Sequence, residues 1–139
     1  MGSTTTLAVA RRYADAMAAK DFVTVVSLFA DDIVWHQPGD HRLSGTYRGR
    51  DAANEAIGAL MAASEGTLDV AITGEPMIND ALAVFPVHFS AERDGAQMSM
   101  DGVDVLRVEG DKVAEVWLFS TAQQAEDATP GRPDRAPRR

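Results

Sequence analysis

From residue 82 onward the chain reads as long strands and tight turns. Residues 82–92, 96–108 and 112–121 alternate apolar and polar positions, and are broken only at Asp94-Gly95 and Glu109-Gly110-Asp111. A further run over 68–74 precedes them and closes at Asn79-Asp80. Breaks this short join antiparallel neighbours, so the four runs predict an antiparallel meander. One face of such a sheet is apolar along its whole length, and other elements must cover it.

The cover comes from the first half of the chain. Residues 5–19 place Leu7, Ala10, Tyr13, Ala14, Met17 and Ala18 at helical spacing. Lys20-Asp21 breaks the pattern, and Phe22, Val23, Val26 and Phe29 predict a short second helix ending near Asp31-Asp32. Ile33–Gln37 reads as a strand stopped by Pro38-Gly39, and residues 40–50 as a loop with a short strand at its centre. Asp51 is the expected N-cap of a third helix that ends at Gly66. The plan is α+β: a curved antiparallel sheet wrapped around three N-terminal helices, leaving a conical pocket between them.

A length of 139 residues suits one domain, assigned to 1–124, with 45% hydrophobic and 24% charged residues typical of a globular protein. Residues 131–139 hold four Arg and one Asp, so the net −8 becomes −11 without them. So acidic a body repels nucleic acid and anionic membranes. Residues 125–139, rich in Pro and Arg, read as a disordered basic tail. The chain has no cysteine, no apolar run of membrane-spanning length and no export signal at its start, which fits the cytoplasm. Its three His lack ligand spacing with carboxylates and no phosphate loop appears, so neither a metal nor a cofactor is expected.

The segments RRYADAMAAKDF, SLFADDIVW, GTYRGRDAA and DVLRVEGDKVAEVW resemble the nuclear transport factor 2-like superfamily, and within it the SnoaL-like cyclases and the ketosteroid-isomerase-like proteins. The resemblance covers roughly residues 7–122 and implies the same cone-shaped fold. Ketosteroid isomerases use an Asp base, with a Tyr and a neutral Asp donating hydrogen bonds to an enolate. By resemblance the Tyr position is Tyr13, the hydrogen-bonding Asp is Asp104, and the base position holds Gln37. Glutamine cannot take a proton from carbon, so a simple isomerase needs another base. The superfamily's epoxide hydrolases carry an Arg and a second Asp where this chain has Gly102 and Leu118, which lowers that reading.

Alternation assigns the faces. If Gln37 points inward, so does Trp35, while His36 points out. Phe85, Val87 and Phe89 form the inner set of their strand, leaving His88 on the other face unless a bulge returns it to the pocket. Met100, Gly102 and Leu106 share the inner face with Asp104, and the resemblance implies that Val116, Leu118 and Ser120 continue it. The candidate catalytic residues are therefore Asp104, Tyr13 and Gln37, and the candidate substrate-binding residues are Trp35, Met17, Phe85, Phe89, Met100, Leu118 and His88. Trp117 and Phe119 fall on the outer face as an apolar patch, and dimerisation through that face is common among the proteins it resembles.

An inner carboxyl in an apolar pocket suits hydrogen-bond donation or acid catalysis. With few ionisable groups beside it, the inventory suits folding a flexible molecule and polarising its carbonyl. The expected function is thus a cofactor-independent cyclase for an apolar polyketide-type intermediate, as in natural-product and antibiotic biosynthesis. The alternatives are a non-catalytic small-molecule-binding module, and an isomerase or epoxide hydrolase of the same superfamily. Eleven Arg against two Lys in an Ala-rich chain hint at a GC-rich bacterial origin.

Overall fold

The computed structural model describes residues 2–40, 43–93 and 95–121. Three helices, α1 (Gly2–Ala18), α2 (Phe22–Ser27) and α3 (Arg50–Ala63), accompany seven strands. The strands are β1 (Phe29–Gln37), β2 (Gly45–Arg48), β3 (Asp69–Ile72), β4 (Met77–Asn79), β5 (Leu82–Arg93), β6 (Ala96–Glu109) and β7 (Lys112–Ser120). They form one curved, unclosed sheet in the order β2-β1-β7-β6-β5-β3, with β4 also on β5. Residues 125–139, read as a tail, lie outside the described residues. Among the described residues no helix is long and apolar enough to cross a membrane.

The meander β5-β6-β7 is antiparallel with the expected breaks, but β1 joins β7 in parallel, so the sheet is mixed. Short turns can only make antiparallel neighbours; this pair is made by the return of the chain's end to its first strand. The unexpected β4 and the shortened β3 share one flank of β5, separated by a gap at Thr73–Pro76. Pro86 explains the gap. Its carbonyl accepts from Thr73 N–H at 3.0 Å, and the N–H that proline lacks would point to that same flank.

The second helix is shorter than the apolar spacing predicts. It stops at Ser27, and Phe29 opens β1 instead. Phe29 is fully buried and meets Trp35 edge-on at 6.1 Å, so sheet packing overrides helical spacing. Between Phe29 and Val34 the register with β7 slips, and Arg50 braces the irregularity by donating to Phe29 O at 2.9 Å and pairing with Asp31 at 2.7 Å. Gly49, not Asp51, caps α3: its φ of +94° suits glycine, and its N–H ties the helix start to Ile33 O at 2.7 Å. Asp51 instead lies in the first turn, where its charge complements the helix dipole.

The core between helices and sheet is closed by Val9, Ala10, Tyr13 and Ala14 of α1, Ala53, Ala56 and Ile57 of α3, and the inner residues of the strands. Fully burying a side chain such as Ile33 or Phe29 stabilises the fold by about 2 kcal/mol. This dry packing covers only part of the inner face. The candidate site begins where it ends.

Candidate functional site

The inner face can be followed in rows across the strands. Trp35, Val116, Leu106 and Ala83 stand side by side in register and are all buried. One step along, Asp104 pairs with Leu118 on one side and Phe85 on the other, and extending the parallel register by one residue brings Gln37 beside Leu118. This second row therefore carries two polar side chains, each 6% exposed, separated by one leucine. Beyond it the sheet and helices part around a cavity of about 100 Å³.

Trp35, Gln37, Asp104 and Leu118 form the floor, Val87, Phe89, Ala91 and Met98 continue along β5 and β6, and Met17, Leu60 and Ala63 close it from the helices. Leu68 and Val70 complete one side, and Phe119, 56% exposed, stands at the mouth. A smaller apolar lobe of about 20 Å³ extends beneath Met17 and Leu60 toward Phe22 and Ile57. Among the described lining residues Asp104 alone is ionisable at neutral pH. Nor do any three described His, Asp or Glu side chains gather to hold a metal ion.

Gln37 is held in a defined direction. The indole N–H of Trp35 donates to Gln37 Oε1 at 3.0 Å, so the amide oxygen is occupied and the NH2 group is left facing the cavity. Tyr13 lies behind Asp104, fully buried, with its ring 6.2 Å from Phe85. Its hydroxyl has no hydrogen-bond partner among the described residues. Burial, reinforced by the nearby charge of Asp104, pushes the Tyr13 phenol well above its usual range, so it keeps its proton.

This has a stability consequence with a definite sign. The unfolded chain releases the phenolic proton near pH 10.0 and the folded chain does not, so stability is full below that pH and falls above it. Tyr13→Phe removes both the alkaline loss and an unsatisfied buried donor. The variant is expected to be more stable by about 1 kcal/mol at neutral pH, measured by denaturant unfolding, with a flatter profile above pH 10.0.

Of the residues expected from the sequence, Gln37, Asp104, Trp35, Met17, Phe89 and Leu118 line the cavity. Tyr13 and Phe85 sit one layer behind it in the core. Met100 is buried against Ala91 and Met98, its sulfur accepting from Ser120 Oγ at 2.7 Å, and it is Met98 that reaches the cavity. His88 is a correction. No bulge interrupts the β5–β6 register, so it stays on the outer face, bonded to Asp101 at 2.9 Å and Ser99 at 2.8 Å. That Ser-His-Asp cluster is largely solvated, Asp101 being 73% exposed, and it stands on an open sheet face.

His36 also points outward. It bonds Glu115 at 2.6 Å and stacks on Trp117 at 5.5 Å, so Trp117 is partly covered, while Phe119, expected wholly on the outer face, also lines the cavity. Burial alone would raise the Glu115 carboxyl, but hydrogen bonds from His36 and Arg107 outweigh it and hold that carboxyl below its usual range. The residues that sequence reasoning missed are Leu60, Ala63, Ser64, Leu68, Val70 and Ala91. The three-residue spacing of Leu60 and Ala63 at the end of α3 was the signal for two of them.

Relatives share this arrangement of helices and sheet. A protein of unknown function with a cystatin-like fold from Xanthomonas campestris is 36% identical, with 91% of this chain and 98% of that chain covered and a TM-score of 0.87. An uncharacterised protein of Mycobacterium tuberculosis is 26% identical over 81% of this chain and 86% of its own length. A putative ketosteroid isomerase from Kribbella flavida is alike in fold at 20% identity, with 85% and 78% of the chains covered and a TM-score of 0.66. The SnoaL-like domain matches residues 10–116, and with that span covering the helices, the polar row and most of the sheet, the chain belongs to the SnoaL-like family of the nuclear transport factor 2-like superfamily.

Proposed function

We propose that the cavity is the active site of a cofactor-independent cyclase acting on an apolar polyketide-type intermediate. The observation that carries this reading is Asp104: a carboxyl 6% exposed, at the edge of an apolar cavity, with a protonated tyrosine behind it. Holding an apolar ligand does not require a buried carboxyl, and placing one there costs stability. Moving a proton does require such a group.

An aldol-type closure illustrates the balance. The substrate's carbonyl oxygen accepts from the Gln37 amide, and its enol carbon attacks that carbonyl carbon. The new carbon–carbon bond forms as the carbonyl π pair becomes an alkoxide, which takes the proton of the Asp104 carboxyl. The enol hydroxyl then returns its proton to Asp104, leaving a ketone and a product isomeric with the substrate. Much of the acceleration comes from folding the chain against Trp35, Phe89 and Leu118. The test is incubation with linear polyketone mimics. A product of unchanged mass with one more ring, absent with Asp104→Asn, supports the reading, and no conversion of any mimic counts against it.

A second reading, a small-molecule receptor without chemistry, is favoured by Gln37 itself, which stands where the isomerases hold their base and cannot accept a proton from carbon. The third, an isomerase using His36 or His88, is weakened because both rings lie on the outer face. Epoxide hydrolysis is weakened by Gly102 and Leu118. The assembly that accompanies the proposal is a cytoplasmic homodimer through the outer face around Trp117, with Phe119 left at the cavity mouth, and sedimentation equilibrium at micromolar concentration tests it.

A further inference from the structure

The direction of one amide and the charge inventory of the cavity restrict what can enter. Trp35 and Gln37 are two residues apart on the same face of β1, 1% and 6% exposed, with the indole N–H on the amide oxygen at 3.0 Å. Flipping the amide would set N–H against N–H, so the buried indole fixes the NH2 group toward the cavity. The ligand atom beside Gln37 must therefore accept hydrogen bonds. An ammonium or other donor head is mismatched there.

Anionic acceptors are opposed by desolvation. A carboxylate or phosphate entering the cavity would lose its water against an apolar lining, and none of the described lining residues is Lys, Arg or His. The chain's net charge of −8 opposes its approach as well. Size gives a third limit. A cavity of about 150 Å³ holds a benzene ring, and this one, at about 100 Å³, encloses less than a whole ring, so the rest of a ring-bearing ligand extends through the opening beside Phe119.

We propose that the cavity takes the uncharged carbonyl end of its substrate, enclosing that end and leaving the remainder at the mouth, and that Trp35 is the positioning residue that presents the Gln37 amide to that carbonyl. The inference rests on this cavity being the site of the proposed reaction. It narrows the substrate to a neutral carbonyl compound entering by that end.

The test uses unreactive rings that differ only in head group: cyclohexanone, cyclohexylamine and cyclohexanecarboxylate. Binding is followed on the full chain by the NMR resonances of the Gln37 NH2 and the Trp35 indole N–H. Cyclohexanone is expected to shift the Gln37 NH2 saturably, and to bind at least about tenfold more tightly than the carboxylate or the amine. Trp35→Phe keeps an aromatic wall and frees the amide. It is expected to narrow the ketone-over-amine preference about fivefold while leaving the ketone-over-carboxylate preference in place. Gln37→Glu is expected to abolish the ketone preference.

Equal affinity for carboxylate or amine in the wild type, or a Gln37 NH2 unmoved by cyclohexanone, overturns the inference. So does a Trp35→Phe variant with an unchanged ketone-over-amine ratio, since a merely structural tryptophan would not alter head-group choice. Because these rings do not react, the two proposals fail separately. Ketone preference without turnover of any mimic removes the cyclase and keeps the carbonyl site, whereas ring closure without ketone preference does the reverse.

Discussion

On the cyclase proposal, Asp104→Asn is expected to close rings at least about a hundredfold more slowly than the wild type while folding normally and binding substrate with a similar KM. Asparagine matches aspartate in shape and still forms hydrogen bonds, but it has no acidic proton to give to an alkoxide. A positioned general acid contributes about 10² to 10⁴ in rate, which sets the size of the loss. The split between kcat and KM is informative. Loss of kcat alone places the interaction in the transition state, whereas equal weakening of cyclohexanone binding would make Asp104 a ligand-holding group. A variant that turns over at the wild-type rate removes Asp104 as the proton donor, and folding by shape would then carry the reaction alone.

The same residue shows how far a sequence can be read. The family resemblance put Gln37, Asp104 and Leu118 on the inner face, and period-two alternation added Trp35 and Phe89; all five line the cavity, because the pleat is local and β5 and β6 pair without a slip. Alternation gives a face and not a depth. Phe85 and Phe89 are equivalent in pattern, yet Phe85 meets Tyr13 of α1 in the core and Phe89 opens to the cavity, because α1 covers one row and not the other. Met98 and Met100 divide in the same way.

Pairings made across the chain were invisible for a related reason. The parallel β1–β7 contact joins residues roughly eighty positions apart with no turn between them to announce it. The Trp35–Gln37 hydrogen bond is close in sequence, but it depends on an indole rotamer selected by burial beside Phe29. Phe29 itself carried helical spacing and became a strand residue once the sheet offered it a dry neighbour.

Gly102 is where sequence and packing meet, and Gly102→Ala is expected to destabilise the protein by about 3 kcal/mol, lowering Tm by about 10 °C. A Cβ at this position would lie 2.2 Å from the Phe119 carbonyl oxygen and 2.8 Å from Phe89 Cε1. The phenyl ring can turn, but the carbonyl belongs to the backbone of β7 and cannot yield without moving that strand away from β6. Because the ring lines the cavity, displacing it in the alanine variant should also lower cyclohexanone affinity. Gly58→Ala is the matched control. It lies within α3 with nothing within 4 Å of the added carbon, so helix propensity alone should stabilise the chain by about 0.8 kcal/mol. The contrast separates a glycine required for close approach from one that is merely tolerated. It also gives the missing epoxide-hydrolase arginine a physical cause: Phe89 and the Phe119 carbonyl occupy the space its side chain would enter, so Gly102→Arg should unfold the protein or expel Phe89 rather than create a hydrolase. A Gly102→Ala protein as stable as the wild type in urea would show that β7 shifts freely here, and the cavity mouth would then be set by something other than this close strand contact.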